Sequence, residues 1–144
     1  ILSGYGINCE EETFNAFNIA GIEATIVHIN DLIENPKKLK SFQVLALPGG
    51  FSYGDYTGSG NAMAHKIKNN LFENIVDFIE RDKLVIGICN GCQILINLGI
   101  APASEGYKRE LALVENDIPT YQCRWVNIKV IRQKSPWLKK IKEL

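Results

Sequence analysis

Short apolar, β-branched runs alternate along this chain with segments of helical periodicity, and this alternation constrains the fold more than any other feature. Strands that are covered on both faces are near-continuously apolar, whereas strands with one wet face alternate with polar residues. The chain therefore predicts an α/β fold, a doubly wound and mostly parallel sheet with helices on both faces. The predicted strands are 1–2, 24–29, 42–47 and 84–88, and the predicted helices are 8–21, 31–40, 61–67, 71–81 and 90–98.

The pattern changes after Gly99. Residues 111–114 and 121–131 have strand composition with no helix between them, which predicts an antiparallel extension of the sheet near the C-terminus. Residues 137–144 form a short helical pattern.

Length and composition indicate one globular domain over residues 1–144. The chain is 46% hydrophobic with a formal net charge of zero, which favours neither disorder nor a surface that coats nucleic acid. No apolar run approaches the ~18 residues of a membrane span, so we expect a cytoplasmic protein with no membrane or nucleic-acid partner. Because the chain starts without Met, inside an apolar pair, we expect it to be truncated at both ends.

The most informative segment lies where the last predicted parallel strand turns directly into a helix. It is the cysteine form of the G-x-nucleophile-x-G elbow, in which small flanking residues allow a strained turn that lifts the nucleophile clear of the sheet. The positive end of the following helix favours the thiolate, so Cys89 is a candidate nucleophile. The segment reads Gly87-Ile88-Cys89-Asn90-Gly91-Cys92-Gln93.

Three simpler interpretations of Cys89 and Cys92 are open. A C-x-x-C pair at a helix start can be redox-active, although a Gly two residues before the first cysteine is unusual for that chemistry. A zinc site needs more ligands, and because His28 and His65 are the only histidines, no metal is predicted. Two structural thiols are the third interpretation, and all four cysteines are expected to be reduced.

A second segment supplies a partner for the elbow. Leu47-Pro48-Gly49-Gly50-Phe51 ends the preceding predicted strand in chain order. Two glycines at a strand end leave backbone N–H groups free to face an oxyanion, and one such donor can be worth ~3 kcal/mol to an acyl-transfer step. The pair of segments predicts acyl transfer through a thioester.

These segments, extended to Pro48-Gly49-Gly50-Phe51-Ser52-Tyr53-Gly54-Asp55-Tyr56 and joined by Cys123-Arg124-Trp125-Val126, resemble a known family. The chain is similar to class I, triad-type glutamine amidotransferases, which are flavodoxin-like, and among them to the glutaminase subunits or domains of phosphoribosylformylglycinamidine synthase. The similarity runs from Gly4-x-Gly6-x-Asn8-Cys9-x-x-x-Thr13 to Ser135-Pro136-Trp137-Leu138.

The resemblance implies an activity and a partner. Cys89 would attack the side-chain amide of L-glutamine, and water would hydrolyse the resulting thioester. The ammonia would pass to a synthetase subunit or domain in purine biosynthesis. ATP and Mg would bind on that partner, since this chain has no Walker-type loop and no cofactor of its own is expected. By position, the oxyanion hole would be Gly50 and Asn90, and the substrate-binding residues would be Gly49, Phe51, Asp55, Gln93, Arg124 and Trp125.

The sequence departs from the family in two places. Members carry a His and a Glu in a P-x-A-H-x-E-type stretch after the segment matched by 135–144, and these 144 residues contain no such stretch. An elbow without its base predicts a poor glutaminase, and we assign neither His28 nor His65 as a substitute. Residues 57–60 also differ from many relatives, which weakens contacts carried over beyond Asp55.

Two other functions compete with the glutaminase. One is a catalytically incomplete amidotransferase-like module that docks to a synthetase and regulates it, and would form no thioester. The other is a cysteine hydrolase with a similar elbow, which is disfavoured because such proteins generally lack segments like Gly54-Asp55-Tyr56 and Cys123-Arg124-Trp125.

Overall fold

The structure is a computed structural model that describes residues 1–131 and 135–138. The chain divides into two compact units, Ile1–Leu113 and Val114–Leu144. Each unit is described on its own below.

Four short strands of the first unit form two parallel ladders. Strand β1 (Leu2–Ser3) pairs with β2 (Val27–His28), and β3 (Val44–Leu47) pairs with β4 (Leu84–Gly87). The register of the second ladder sets Leu47 opposite Gly87, the last residue of each strand. The predicted parallel pairing is therefore confirmed, and it brings the loops that follow β3 and β4 to the same edge of the sheet.

Five α-helices alternate with these strands in the described residues. They match the predicted helices in order, with bounds that move by a few residues. The second begins before its predicted start, because the N–H of Asn30 donates to His28 Nδ1 at 3.2 Å and so caps the helix. It also ends early, and a 3₁₀ helix with Pro36 in its first turn follows. The helices are α1 (Glu10–Ile19), α2 (Ile29–Glu34), α3 (Asn61–Asn70), α4 (Phe72–Glu80) and α5 (Asn90–Leu98).

The core of the first unit lies between its helices and β3. Helix α5 packs against α3, β3 and β4, so the helix that follows the elbow is also the best-buried helix of the fold. This placement fixes the start of α5 relative to the end of β3. Core side chains that are almost fully buried include Leu45, Leu47, Met63, Ile67, Ile94 and Leu98.

The predicted antiparallel extension is wrong as far as the described residues go. Residues 109–131 form no strand, and nearly all of their side chains are exposed, with Val126 at 64% and Ile128 at 68%. A strand without hydrogen-bonded neighbours or a buried face is not stable, so strand composition alone does not produce one. Of the predicted C-terminal helix, the structure describes one 3₁₀ turn, Pro136–Leu138, and residues 139–144 lie outside the described ranges.

Candidate active site

The backbone at Cys89 has the strained turn that the elbow pattern predicts. Cys89 has φ 52° and ψ −112°, a left-handed conformation that costs a non-glycine residue about 1–2 kcal/mol. Its side chain is exposed, and α5 begins at the next residue. The Cys89 side chain is therefore presented to solvent at the start of a well-buried helix.

The two glycines around Cys89 are required by close packing. A Cβ added at Gly91 would lie 1.9 Å from the carbonyl oxygen of Leu47, and one added at Gly87 would lie 2.6 Å from the carbonyl oxygen of Gly91. The backbone of β3 and the first turn of α5 therefore touch, and only glycine permits the contact. The G-x-C-x-G pattern is thus a steric requirement of this turn.

The diglycine after β3 lies against the elbow. A Cβ at Gly49 would be 3.4 Å from the Cβ of Cys89, and Gly50 has φ +144°, a conformation that side chains rarely adopt. Within the described ranges, the backbone N–H groups of Gly50 and Asn90 have no hydrogen-bond acceptor. Neither N–H group is therefore committed to another group of the described chain.

The side chain of Asn90 joins the elbow to the loop after the diglycine. It is fully buried, at 0% exposure. Its Oδ1 accepts from the N–H of Ser52 at 3.1 Å, and its Nδ2 donates to Asp55 Oδ1 at 3.1 Å and to Gln93 Oε1 at 2.9 Å. Three of the residues assigned to the site by resemblance, Asn90, Asp55 and Gln93, are therefore brought together in one hydrogen-bonded network.

The loop that carries Asp55 is itself strained. Tyr53, Gly54 and Asp55 are consecutive left-handed residues, with φ of 55°, 66° and 54°. Asp55 Oδ1 also accepts from the N–H of Gly60 at 3.1 Å and so closes the loop at its far end. Phe51, which the resemblance places in the glutamine pocket, is 64% exposed. Such a run persists only where surrounding contacts hold it, and the bonds of Asp55 to Asn90 and Gly60 act together with the N–H of Tyr53, which donates to the carbonyl of Tyr5 at 2.8 Å.

Sequence reasoning did not predict that Cys9 lies against the diglycine. The N–H groups of Asn8 and Cys9 both donate to the carbonyl of Gly49, at 3.3 and 3.2 Å, and a Cβ at Gly49 would lie 3.4 Å from Cys9 Sγ. Burial raises the pKa of the Cys9 thiol, and the charges of Glu12, Cys89 and Glu10 raise it further. The signal was present, because the segment after β1 must reach the same sheet edge as the segments after β3 and β4.

The remaining residues considered from the sequence are Arg124 and Trp125, which the resemblance assigned to the site, and the two histidines, which were not assigned to it. Arg124 and Trp125 belong to the second unit, in a segment without strand pairing, and the Trp125 side chain is fully exposed. His28 caps α2 through Nδ1, and His65 is exposed on α3. A cleft of about 150 Å³ lies beside Gln93, between loop residues 57–59 and α5, and Cys89 does not line it.

All four cysteines lie in the described ranges and none forms a disulfide, so Cys89 and Cys92 are separate thiols. In the part of the chain that the structure covers, no group of three or more His, Cys, Asp and Glu side chains is arranged to hold a metal ion. No helix found between residues 1 and 131 or in 135–138 has the length and hydropathy of a membrane span.

Parallel strands, a cysteine elbow and a diglycine loop at one sheet edge define an α/β protein of the nucleophile-elbow class. The family of CobB/CobQ-like glutamine amidotransferase domains matches residues 1–143, and the chain belongs to this family.

Named relatives make the comparison more specific. The chain is 55% identical over 131 residues to the phosphoribosylformylglycinamidine synthase subunit PurQ of Methanococcus maripaludis, covering 90% of this chain and 48% of that protein. It is 35% identical over 153 residues to the PurQ subunit of Treponema denticola, covering 99% of this chain and 57% of that protein. The solved structure of PurLQS from Thermotoga maritima matches with a TM-score of 0.68 and 36% identity, over 87% of this chain and 51% of that chain. The chain thus spans about half the length of the curated relatives it matches.

Proposed function

We propose that the protein is the glutaminase component of phosphoribosylformylglycinamidine synthase and supplies ammonia for purine biosynthesis. The observation that carries the proposal is the exposed Cys89 thiol on its left-handed elbow, set against the diglycine loop. The N–H groups of Gly50 and Asn90 have no competing acceptor in the described residues. Membership of the amidotransferase family and the similarity to PurQ subunits support the same chemistry.

In the proposed reaction, Cys89 Sγ forms a bond to the side-chain carbonyl carbon of glutamine. The N–H groups of Gly50 and Asn90 stabilise the negative charge that develops on the carbonyl oxygen. The C–N bond then breaks, and the leaving nitrogen takes the proton that the thiol gave up on attack and departs as ammonia. Water attacks the γ-glutamyl thioester, which releases glutamate and restores the thiol.

In this proposal the glutamine lies against Gly49, Phe51, Asp55 and Gln93. The hydrogen bonds among Asp55, Asn90 and Gln93 support a common pocket wall. The reaction also needs a general base, and His28 and His65 are not assigned to that role, because one caps a helix and the other is exposed on α3.

The remaining parts of the proposal concern partners and setting. We place residues 1–144 in one amidotransferase domain that works in the cytoplasm beside a synthetase subunit or domain. That partner binds ATP and Mg and consumes the ammonia. Similarity to a solved PurLQS structure supports a partner of this kind.

The test is labelling by a diazoketone analogue of glutamine, followed by peptide mass mapping. We expect one equivalent of label on Cys89, none on the Cys89→Ala variant, and full labelling of the matched Cys92→Ala variant, whose thiol lies one turn along the same helix. Glutamine should protect against labelling. Labelling that persists in Cys89→Ala would refute the proposal, and stable binding to a synthetase with no label and no ammonia would favour the regulatory module instead.

A further inference from the structure

The buried side chain of Asn90 makes hydrogen bonds that oxyanion binding by its backbone does not need. Its amide accepts from the N–H of Ser52 and donates to the side chains of Asp55 and Gln93. Two of these partners belong to the loop after the diglycine, and the third lies one turn along α5. The side chain therefore connects the start of α5 to the loop.

The partners of Asn90 flank the left-handed run of the loop, in which the N–H groups of Tyr53 and Gly54 donate to the carbonyls of Tyr5 and Phe51. Asp55 ends the run of three left-handed residues, and Ser52 precedes the run. Both are bonded to the same amide, so the run is fixed on both sides by one side chain. At 0% exposure, no water can replace either bond without opening the contact between loop and helix.

We propose that the Asn90 side chain is a positioning residue, which sets the substrate loop, residues 51–60, relative to the Cys89 thiol. This inference rests on the proposed glutaminase function. The backbone N–H of Asn90 serves the oxyanion, while its side chain touches no reacting atom and acts through Asp55 and Gln93. Glutamine binding then depends on the amide of Asn90, whereas the intrinsic reactivity of the thiol does not.

The first test is Asn90→Asp, which keeps an acceptor for Ser52 but replaces the donor to Asp55 with a second carboxylate. Repulsion displaces the loop. We expect the concentration of the diazoketone analogue that gives half-maximal inactivation to rise about tenfold or more, the effect of losing a charge-assisted hydrogen bond. Alkylation of Cys89 by iodoacetamide needs no glutamine pocket, so its limiting rate, reached at a pH where the thiol is fully ionised, should stay within about twofold of wild type. The limiting rate is compared because the new carboxylate beside Cys89 disfavours the thiolate at lower pH.

The pH dependence of inactivation by the analogue tests the positioning role separately. If Asn90 only supported the fold, the defect of Asn90→Asp would not vary with pH. Protonation of either facing carboxyl restores a donor between positions 90 and 55, so the defect relative to wild type should shrink as the pH falls. Besides these two groups, the site holds the thiols of Cys9 and Cys89 and the carboxylates of Glu10 and Glu12, which the wild-type protein shares. At each pH, the rate of inactivation by the analogue is divided by the rate of iodoacetamide alkylation of Cys89 in the same protein, which removes the ionisation of the thiol itself. The ratio of this quotient in the variant to that in wild type then isolates the new pair.

The rescue is the double variant Asn90→Asp with Asp55→Asn. The carboxamide at position 55 donates to the carboxylate at position 90 and still accepts from the N–H of Gly60, and Gln93 can turn its amide to donate as well. We expect the analogue concentration to return to within about threefold of wild type. The matched control is Asn97→Asp, on the same helix, which loses a solvent-exposed bond to the carbonyl of Ser59 and should change little.

The outcomes separate the two proposals. A wild-type protein that the analogue does not label refutes the glutaminase function. If the wild type is labelled and Asn90→Asp behaves like it, the positioning role is refuted while the glutaminase function stands. The positioning role is also refuted if the double variant is not rescued, or if the limiting rate of iodoacetamide alkylation falls as much as inactivation by the analogue does. The positioning role is supported if Asn90→Asp weakens inactivation by the analogue but not the limiting rate of iodoacetamide alkylation, and if the double variant restores inactivation.

Discussion

Two regions of this chain are both rich in apolar and β-branched residues, and they have opposite structures. The elbow region, residues 44–60 and 84–98, has a paired strand on each side and a buried helix behind it. Residues 114–131 form no regular secondary structure, and their apolar side chains are largely exposed. The difference teaches that composition sets what a segment can become, whereas a hydrogen-bonded neighbour decides whether it does.

The largest effect is expected from a single methyl group in the elbow region. Gly91→Ala places a Cβ on the carbonyl of Leu47, and separating β3 from α5 should lower the free energy of unfolding by about 3 kcal/mol. The control is Gly21→Ala, where nothing lies within 4 Å and only the left-handed φ of +76° is penalised, at about 1 kcal/mol. Urea denaturation measures both, and equal losses would contradict the steric account.

A second effect, no larger than the first, should distinguish the two regions by burial alone. Ile94→Ala removes a side chain with 0% exposure from α5 and should cost about 3 kcal/mol, because it leaves a cavity. Ile128→Ala removes a side chain that is 68% exposed and should change stability by less than about 0.5 kcal/mol. If Ile128→Ala lowers the free energy of unfolding as much as Ile94→Ala does, the side chains of residues 114–131 are buried in solution. The contrast between the two regions would then be wrong.

The smallest effect concerns two cysteines, Cys9, which lies against Gly49 of the elbow region, and Cys123 of residues 114–131. The pKa of Cys9 is raised, so its protonated form is favoured by the fold; the resulting stabilisation is present below the unfolded pKa and is lost as the pH rises through the folded value. Alkylation of Cys9, followed by mass spectrometry, should reach half its limiting rate at a higher pH than a short cysteine peptide does. At neutral pH the exposed Cys123 should react before Cys9. If the pH profile of Cys9 alkylation coincides with that of the peptide, the fold does not raise the pKa of this thiol and the prediction is wrong.

Local sequence signals predicted the parts of the fold that local sterics determine. The order of strands and helices, the start of α5 at Asn90 and the strained turn at Cys89 all depend on short-range glycine placement and apolar periodicity. The resemblance added Asp55 and Gln93, and the structure places both in hydrogen bonds with Asn90.

The features that were missed depend on contacts between distant segments. The approach of Cys9 to Gly49 follows from sheet topology, which no single window of sequence contains. The bonds of the Asn90 side chain depend on a loop conformation with three left-handed residues, only one of which is glycine. The predicted strand over 121–131 was wrong because the sequence shows the composition of a strand but not whether a neighbour pairs with it.

The hydrogen bonds on either side of Gly50 have one more consequence. Asn8 donates to the carbonyl before Gly50, and the N–H after Gly50 donates to Gly6, so the diglycine is paired with the first loop of the chain as a small antiparallel bridge at Ile7. The orientation of the Gly50 amide therefore depends on residues of the first loop, which are not among the proposed site residues. Lengthening that first loop by one residue should therefore rotate the Gly50 amide, which we propose for the oxyanion, while the sequence of the elbow stays unchanged.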